Sequence, residues 1–315
     1  MDQNTSCTVA ILTYKGMTHL QYLLPTLKEA IDASPDFKVE VLIIDNGCDT
    51  ETRDFVNSNY SGFRYEFSPV NDYLFSYNRF INQCTSDYVF ILNDDVRLDK
   101  NIFNQSIPLL VNDSSLFAVS STLMDWEGKE LQEAVRTISF KNGWMYIHNQ
   151  PLAKDIRYTF NACGGASICR TKMFNDLEGF DRLFYPAYYE DTDLSHRAWH
   201  KGWKIVNNPN AIVYHRAGGS WGDENKKKSV EILQQKNKIV GMLKNSDYKN
   251  FRLLFWLFFP VRSFKSVFNS QTQFKAMLYF LFNYFKMRSS FKRKIKSTIS
   301  DKELLKRLNT SYSTK

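Results

Sequence analysis

Two acidic clusters hold the residues of this chain best able to do chemistry. Residues 188–206 read YYEDTDLSHRAWHKGWKIV, which sets Glu190 and Asp191 at the start of a helix that Gly202 closes. A carboxylate in that place can serve as general base toward a bound hydroxyl if burial or a neighbouring acid raises its pKa. The same pair is also what plain stabilisation of a helix N-terminus selects. Asp193 and Arg197, four residues apart, read as an ion pair on the helix surface, while Trp199 and Trp203 pack the helix on the body. The second cluster comes earlier, where the apolar run YVFIL delivers Asn93, Asp94 and Asp95, with Asp99 beyond. Carboxylates at the end of a buried strand suit a hard divalent cation that bridges to a diphosphate, although Asn-Asp-Asp is also a common turn. His215, after another apolar run, offers a ring nitrogen as a further ligand or serves as an ordinary polar histidine.

The elements that must place these residues alternate along the chain. VAILT at 9–13 is a buried strand, and Leu20, Leu23, Leu24, Leu27 and Ile31 follow at helical spacing. VEVLIIDNG at 39–47 is a second strand, stopped by Asp45-Asn46-Gly47. A helix near 51–57, a strand near 63–67, a polar loop at 68–72 and a helix over 76–84 lead to YVFILNDD. Apolar strands alternating with helices predict a mostly parallel sheet covered on both faces, with ligands beyond the C-terminal strand ends. That geometry gathers Thr13, Asp45 and Asp95 on one rim. Further on, 116–121 reads as a strand and 138–148 as an edge strand or hairpin. NACGGASICR at 161–170 puts Gly164 and Gly165 before a small apolar strand, where they allow close approach of another segment or a ligand.

With 315 residues, 43% apolar and 15% aromatic, the chain can bury one large core, or one core and an annex, and its composition excludes disorder. The five cysteines are scattered, and residues 1–8 carry no signal-peptide pattern, so reduced thiols in a cytoplasmic setting are expected. Cys163 and Cys169 are spaced more widely than CxxC and lack a second pair, which argues against zinc. The net charge of +8 hides a division: residues 226–315 carry 21 Lys and Arg against 4 Asp and Glu, and the remainder 20 against 29. Hence an acidic catalytic region at 1–225 and a basic, aromatic-rich helical tail at 226–315 are expected. Within the tail, LLFWLFFPV at 253–261 and AMLYFLFNYF at 276–285 are too short to span a bilayer. Beside KMRSSFKRKIK at 286–296, they describe an interfacial helix pair that docks on an anionic membrane surface. Packing on the body or forming a homodimer is the other use of such helices. Nucleic acid is not expected, because its charge would lie near the cleft.

These motifs, taken in order, resemble those of the family 2 glycosyltransferases, inverting enzymes of the GT-A fold, most closely their bacterial rhamnosyltransferase-like branch. The resemblance covers about residues 7–240. Thr13-Tyr14-Lys15-Gly16 matches the turn that contacts the nucleotide, and Asp45-Asn46-Gly47-Cys48-Asp49 the D-N-G-S-x-D segment. Asn71 and Tyr77-Asn78-Arg79 correspond to a segment whose usual glycines are replaced here. The resemblance implies that Thr13, Tyr14, Asp45, Asn46, Asn71, Asn78, Asp94, Gly164 and Gly165 contact the donor. Asp95 and His215 would hold Mg2+ or Mn2+, and Asp191, beside Glu190, would be the catalytic base. Five matched elements in order make the resemblance specific. It implies transfer from a dTDP-rhamnose or UDP-sugar type donor to a glycan or lipid-linked acceptor in bacterial surface polysaccharide synthesis. The enzyme would then be peripheral on the inner face of the plasma membrane.

Two rivals make different predictions. A phosphatase would use Asp45 as nucleophile, but residues 45–49 lack its D-x-D-x-[TV] loop. A catalytically silent nucleotide-sugar-binding protein of a membrane glycan assembly would keep donor affinity without Asp191.

Overall fold

Runs rich in Val, Ile and Phe form the centre of an α/β fold, and the leucine-periodic stretches cover them. The computed structural model describes residues 5–216, 224–291 and 297–313. In chain order, β1 (Ser6–Thr13), α1 (Met17–Asp32), β2 (Lys38–Asp45), α2 (Thr50–Asn59), β3 (Arg64–Phe67), α3 (Ser76–Ile81) and β4 (Tyr88–Asn93) form the alternating half. β5 (Val96–Leu98), α4 (Ile102–Asn112), β6 (Leu116–Asp125), β7 (Leu131–Glu133), β8 (Arg136–Lys141), β9 (Trp144–Asn149), β10 (Arg157–Tyr158), β11 (Ala166–Arg170) and α5 (Thr171–Asp176) follow. α6 (Glu190–His200), β12 (Lys204–His215), α7 (Glu224–Asn245), α8 (Phe251–Asn269), α9 (Gln271–Met287) and α10 (Asp301–Leu308) complete the chain.

The large sheet has the order β10-β12-β6-β11-β4-β1-β2-β3, with β5 on β12 and β7 on β6. β1, β2, β3 and β4 are parallel, as are β6 and β12, and β11 runs against both β4 and β6. Registers Thr13↔Asp45, Leu12↔Asn93 and His215↔Asp125 bring the C-terminal ends of these strands to one rim. The expected hairpin over 138–148 is β8 and β9, a separate two-stranded sheet.

Both faces of the sheet are buried, which is why VAIL and YVFIL read as continuous apolar runs. Cys7, Val9 and Ile11 pack with Phe90 and Leu92 under Leu20, Leu23, Leu24 and Leu27 of α1 and Phe103 of α4. Ala10, Val89 and Ile91 face the other layer, which includes Trp199 of α6, Val240 of α7, Phe255 of α8, Phe280 of α9 and Leu304 of α10. The C-terminal helices therefore share a core with the sheet.

A buried carboxylate fastens that layer. Asp301, at the start of α10, accepts from His196 Nε2 at 2.7 Å and His200 Nε2 at 3.0 Å through Oδ1. Its Oδ2 accepts from Ser246 Oγ and from the N–H groups of Asp247 and Tyr248. Burial opposes its ionisation, but His196 and His200 hold it well below the usual carboxylate range. The His–Asp separations are hydrogen-bond lengths and Oδ2 already has three donors, so this cluster is a hydrogen-bonded hub rather than an ion cage.

α8 turns Phe251, Phe255 and Phe259 inward and leaves Leu253, Leu257, Val261, Phe264 and Phe268 exposed. On α9, Phe282 and Phe285 are 82% and 76% exposed, so the hairpin keeps a wide apolar face uncovered. Among the described residues no helix is long and apolar enough to cross a membrane. Residues 292–296 of the basic run lie outside the described residues.

Candidate active site

The rim begins where β1 and β4 end. Thr13 Oγ1 donates to Asp94 Oδ2 at 2.6 Å, and His19 Nδ1 lies 3.3 Å from Asp94 Oδ1. That hydrogen bond raises the His19 pKa against partial desolvation. A Cβ on Gly16 would stand 2.2 Å from both Asp94 Oδ2 and Thr13 Oγ1, so the turn after β1 closes only over glycine. Asp45 is fully buried at the end of β2 and accepts from Gly47 N–H, Asp49 N–H and the Tyr65 hydroxyl. Asn46 donates to Tyr73 O and accepts from Ser76 Oγ. Tyr14 is exposed, and the exposed Asn71 accepts from Tyr73 N–H in its own turn. Asn78 is tied elsewhere, because its amide donates to Phe180 O and accepts from Phe180 N–H, both at 2.8 Å.

The Asp95–His215 pair forms where β5 runs antiparallel to β12, with Val96 opposite His215. His215 Nε2 is 3.4 Å from Asp95 Oδ2, and its Nδ1 bonds Gln132 Oε1 at 2.8 Å while Gln132 Nε2 donates to His215 O. With Nδ1 held by Gln132, Nε2 is the ring nitrogen turned toward Asp95. Among the described residues Asp95 Oδ1 is buried without a partner. An orphaned carboxylate oxygen beside an oriented imidazole fits a divalent cation. Gly218, Gly219 and Ser220, after His215, lie outside the described residues.

The first residues of α6 supply the other cluster. Asp191 Oδ2 accepts from Asn161 Nδ2 at 3.0 Å, and Oδ1 accepts from Thr192 N–H at 2.6 Å. Glu190 is buried, its Oε2 has no partner among the described residues, and burial together with the Asp191 charge pushes its pKa up to about 8. The two glycines join the clusters: a Cβ on Gly164 would lie 3.0 Å from Asp191 Cβ, and one on Gly165 would lie 2.5 Å from Asn93 Nδ2. Before the helix, Tyr188 and Tyr189 take φ of 73° and 78°, a left-handed conformation that non-glycine residues hold only under constraint. α7 provides the constraint. Asn237 Nδ2 donates to the carbonyls of Phe184, Ala187 and Tyr188, and a Cβ on Gly241 would stand 2.0 Å from the Tyr189 ring.

Asp193 and Arg197 do pair, at 2.7 Å, but inside the protein rather than on the helix surface. Arg197 also donates to the carbonyls of Leu177 and Gly179, and Lys244 and Asn245 of α7 donate to Asp193. Burial opposes ionisation of Asp193, yet Arg197 and Lys244 hold its pKa below normal. The packed turn at 177–181 and α7 cover this face, and neither is visible from i, i+4 spacing.

His19, Gln132, Glu133, Asn161, Asn237 and Lys244 escape sequence reasoning. Asn161 has a usable signal, since it lies three residues before the glycine pair. Glu133 and Gln132 lie in a stretch without clear periodicity, and Lys244 is one cation of many in a basic tail.

A family model described as "Glycosyltransferase like family 2" matches residues 5–237. The curated proteins contain no significant match. Among solved structures, GalNAc-T7 with UDP, GalNAc and Mn2+ is similar at 12% identity and TM-score 0.60, over 90% of this chain and 57% of that one. This chain thus spans little more than half of the GalNAc-T7 structure. S. aureus TarS is similar at 13% identity and TM-score 0.53, over 93% of this chain and 76% of that one. The mannosyltransferase PcManGT from Pyrobaculum calidifontis, in complex with GDP-Man and Mn2+, is similar at 12% identity and TM-score 0.54, over 89% and 75%. The fold is that of the GT-A glycosyltransferases, a mostly parallel sheet between helical layers with helices added at the C-terminus.

Proposed function

Since the chain belongs to the family 2 glycosyltransferases, we propose that it transfers a sugar from a nucleoside-diphosphate sugar to an acceptor hydroxyl, with inversion at the anomeric carbon. The observation that carries this reading is the consecutive pair Gly164 and Gly165, which brings Asp191 and the Asn93-Asp94-Asp95 cluster to one place.

In this reading Asp191 takes the acceptor proton as the acceptor oxygen bonds to the anomeric carbon, and the bond from that carbon to the diphosphate breaks. Asn161 and Thr192 hold the Asp191 carboxylate in place. Glu190, its pKa raised to about 8 by burial and the neighbouring Asp191 charge, keeps its proton near neutrality. A divalent cation, Mg2+ or Mn2+, bound at Asp95 and His215 would neutralise charge on the leaving diphosphate. Thr13, Tyr14, Asp45, Asn46 and Asn71 are assigned in this reading to the nucleoside, and Asp94, Gly164 and Gly165 to the sugar and diphosphate. Asn78 acts through Phe180. Donors of the dTDP-rhamnose or UDP-sugar type are proposed, in keeping with the UDP in the GalNAc-T7 structure; the GDP-Man of PcManGT is why GDP-sugars are tested beside them.

The acceptor is proposed to be a glycan or a lipid-linked sugar of bacterial surface polysaccharide synthesis, met at the inner face of the plasma membrane. The uncovered phenylalanines of α8 and α9, beside the exposed Lys265, Lys275, Lys286 and Arg288, support docking on an anionic leaflet.

The test is turnover of UDP-, dTDP- and GDP-sugars by purified protein in detergent, with and without Mg2+ or Mn2+. Consumption of one donor that chelation and Asp95→Ala both abolish supports the proposal. Donor binding without consumption, lipid-linked acceptors included, favours the catalytically silent binding protein.

A further inference from the structure

Glu133 ends β7, the short strand that also carries Gln132, the partner of His215. Its Oε2 accepts from Arg136 Nη2 at 2.6 Å, and its Oε1 is buried with no partner among the described residues. Arg136 is itself fixed: its N–H donates to Thr159 Oγ1, its carbonyl accepts from Phe160 N–H, and Nε donates to Asn149 Oδ1. Two residues beyond Thr159 comes Asn161, which holds Asp191 through Nδ2 and whose Oδ1 is also buried without a partner among the described residues. Burial, and then the charge of Asp191, pushes the Glu133 carboxyl up to about 7 against the pull of Arg136 and His215. Glu133 is therefore within electrostatic reach of both the candidate base and the candidate metal ligand.

A buried acceptor left without a donor is costly, and Glu133 Oε1 and Asn161 Oδ1, the latter on the side chain that holds Asp191, are two such atoms. A donor that arrives with the substrate would remove that cost. A cation suits the place poorly, because Arg136 already balances Glu133 and the Asn161 oxygen is neutral. Sugar hydroxyls, each bringing one O–H, fit both atoms.

We propose that Glu133 and Asn161 form a hydroxyl-reading subsite beside Asp191, in which Glu133 Oε1 and Asn161 Oδ1 accept hydrogen bonds from hydroxyls of a bound sugar. The subsite rests on the transferase reading. It makes Glu133 a residue that sets which sugar is accepted.

The test pairs Glu133→Ala with deoxy sugars. The donor arm measures hydrolysis of UDP-glucose, UDP-galactose, GDP-mannose and dTDP-rhamnose beside their monodeoxy forms. The acceptor arm measures transfer to methyl glycosides beside theirs. At one hydroxyl position the wild type should prefer the full sugar by more than about 100-fold in kcat/KM, since a site built to bond a hydroxyl rejects its absence strongly. In Glu133→Ala that preference should fall below about 5-fold, with the other positions discriminated as before. The arm in which it falls assigns the subsite to donor or acceptor. Glu133→Gln, which keeps an acceptor oxygen and the side-chain shape, should retain part of the preference, and it replaces Glu133→Ala should the alanine variant fail to fold. Discrimination unchanged at every position, with turnover intact, overturns the subsite alone. Absence of turnover by the wild type with every donor overturns the transferase reading and the subsite with it.

Discussion

Asp191 is held by three donors from two residues, Asn161 on one oxygen and the N–H and hydroxyl of Thr192 on the other. Asn161→Ala removes the side-chain donor on Oδ2 and lets the carboxylate turn. The expected outcome is a fall in kcat of roughly 10- to 100-fold, read by steady-state kinetics. Glu133 and Glu190 make a second prediction, about pH. Both have folded pKa values, about 7 and about 8, raised above the unfolded carboxylate value of roughly 4.3. Such acids contribute stability that is complete below the unfolded value and lost as pH rises through the folded one. The melting temperature of the metal-free protein should therefore decline between pH 5 and pH 9 on the order of several degrees, and Glu190→Gln should flatten the decline. Superimposable curves for variant and wild type would contradict the assignment. Asp95, Asp191 and His215 were legible in the sequence because each sits at the edge of an apolar or helical pattern that fixes its place. Glu133 and Asn161 were not, since their importance comes from packing between segments far apart in the chain.

At the scale of elements, the strand and helix pattern of residues 9–93 was legible because continuous apolar runs mark the buried strands and period-3.6 spacing marks the helices. The structure lengthens β1 and α2 by a few residues, ends α3 at Ile81 rather than Cys84, and adds the short β5, β7 and β10, which pair by long-range register rather than local preference. Least legible was α7. Its Asn237, Gly241 and Lys244 set the turn before Asp191 and fill the face behind it, although nothing in a lysine-rich helix marks them. α10 works at longer range, through the Asp301 hub on His196 and His200 of α6. Removing this carboxylate strands several buried donors, so Asp301→Ala should destabilise by about 3–5 kcal/mol, measured by denaturant unfolding. A loss under about 1 kcal/mol would mean that α10 does not brace α6.

The whole molecule sets a GT-A body against a helical layer whose outer side is apolar and cationic. Charge division along the sequence made that layer visible, although its sharing of the core with the sheet was not. If α8 and α9 dock on a leaflet, replacing Phe264, Phe268, Phe282 and Phe285 together by serine should lower binding to vesicles rich in anionic lipid. The expected drop is at least about 10-fold in sedimentation, with the fold intact by circular dichroism. Unchanged binding, or none by the wild type, would leave those helices to a protein partner. The body, for its part, is built to bring two acidic clusters together through Gly164 and Gly165. The most direct check is to measure donor affinity and turnover side by side for wild type and Asp191→Asn. A loss of roughly 100- to 10,000-fold in kcat with donor affinity within about 3-fold is expected of a general base. Turnover within about 10-fold of wild type, or a loss that only follows weakened donor binding, would contradict it.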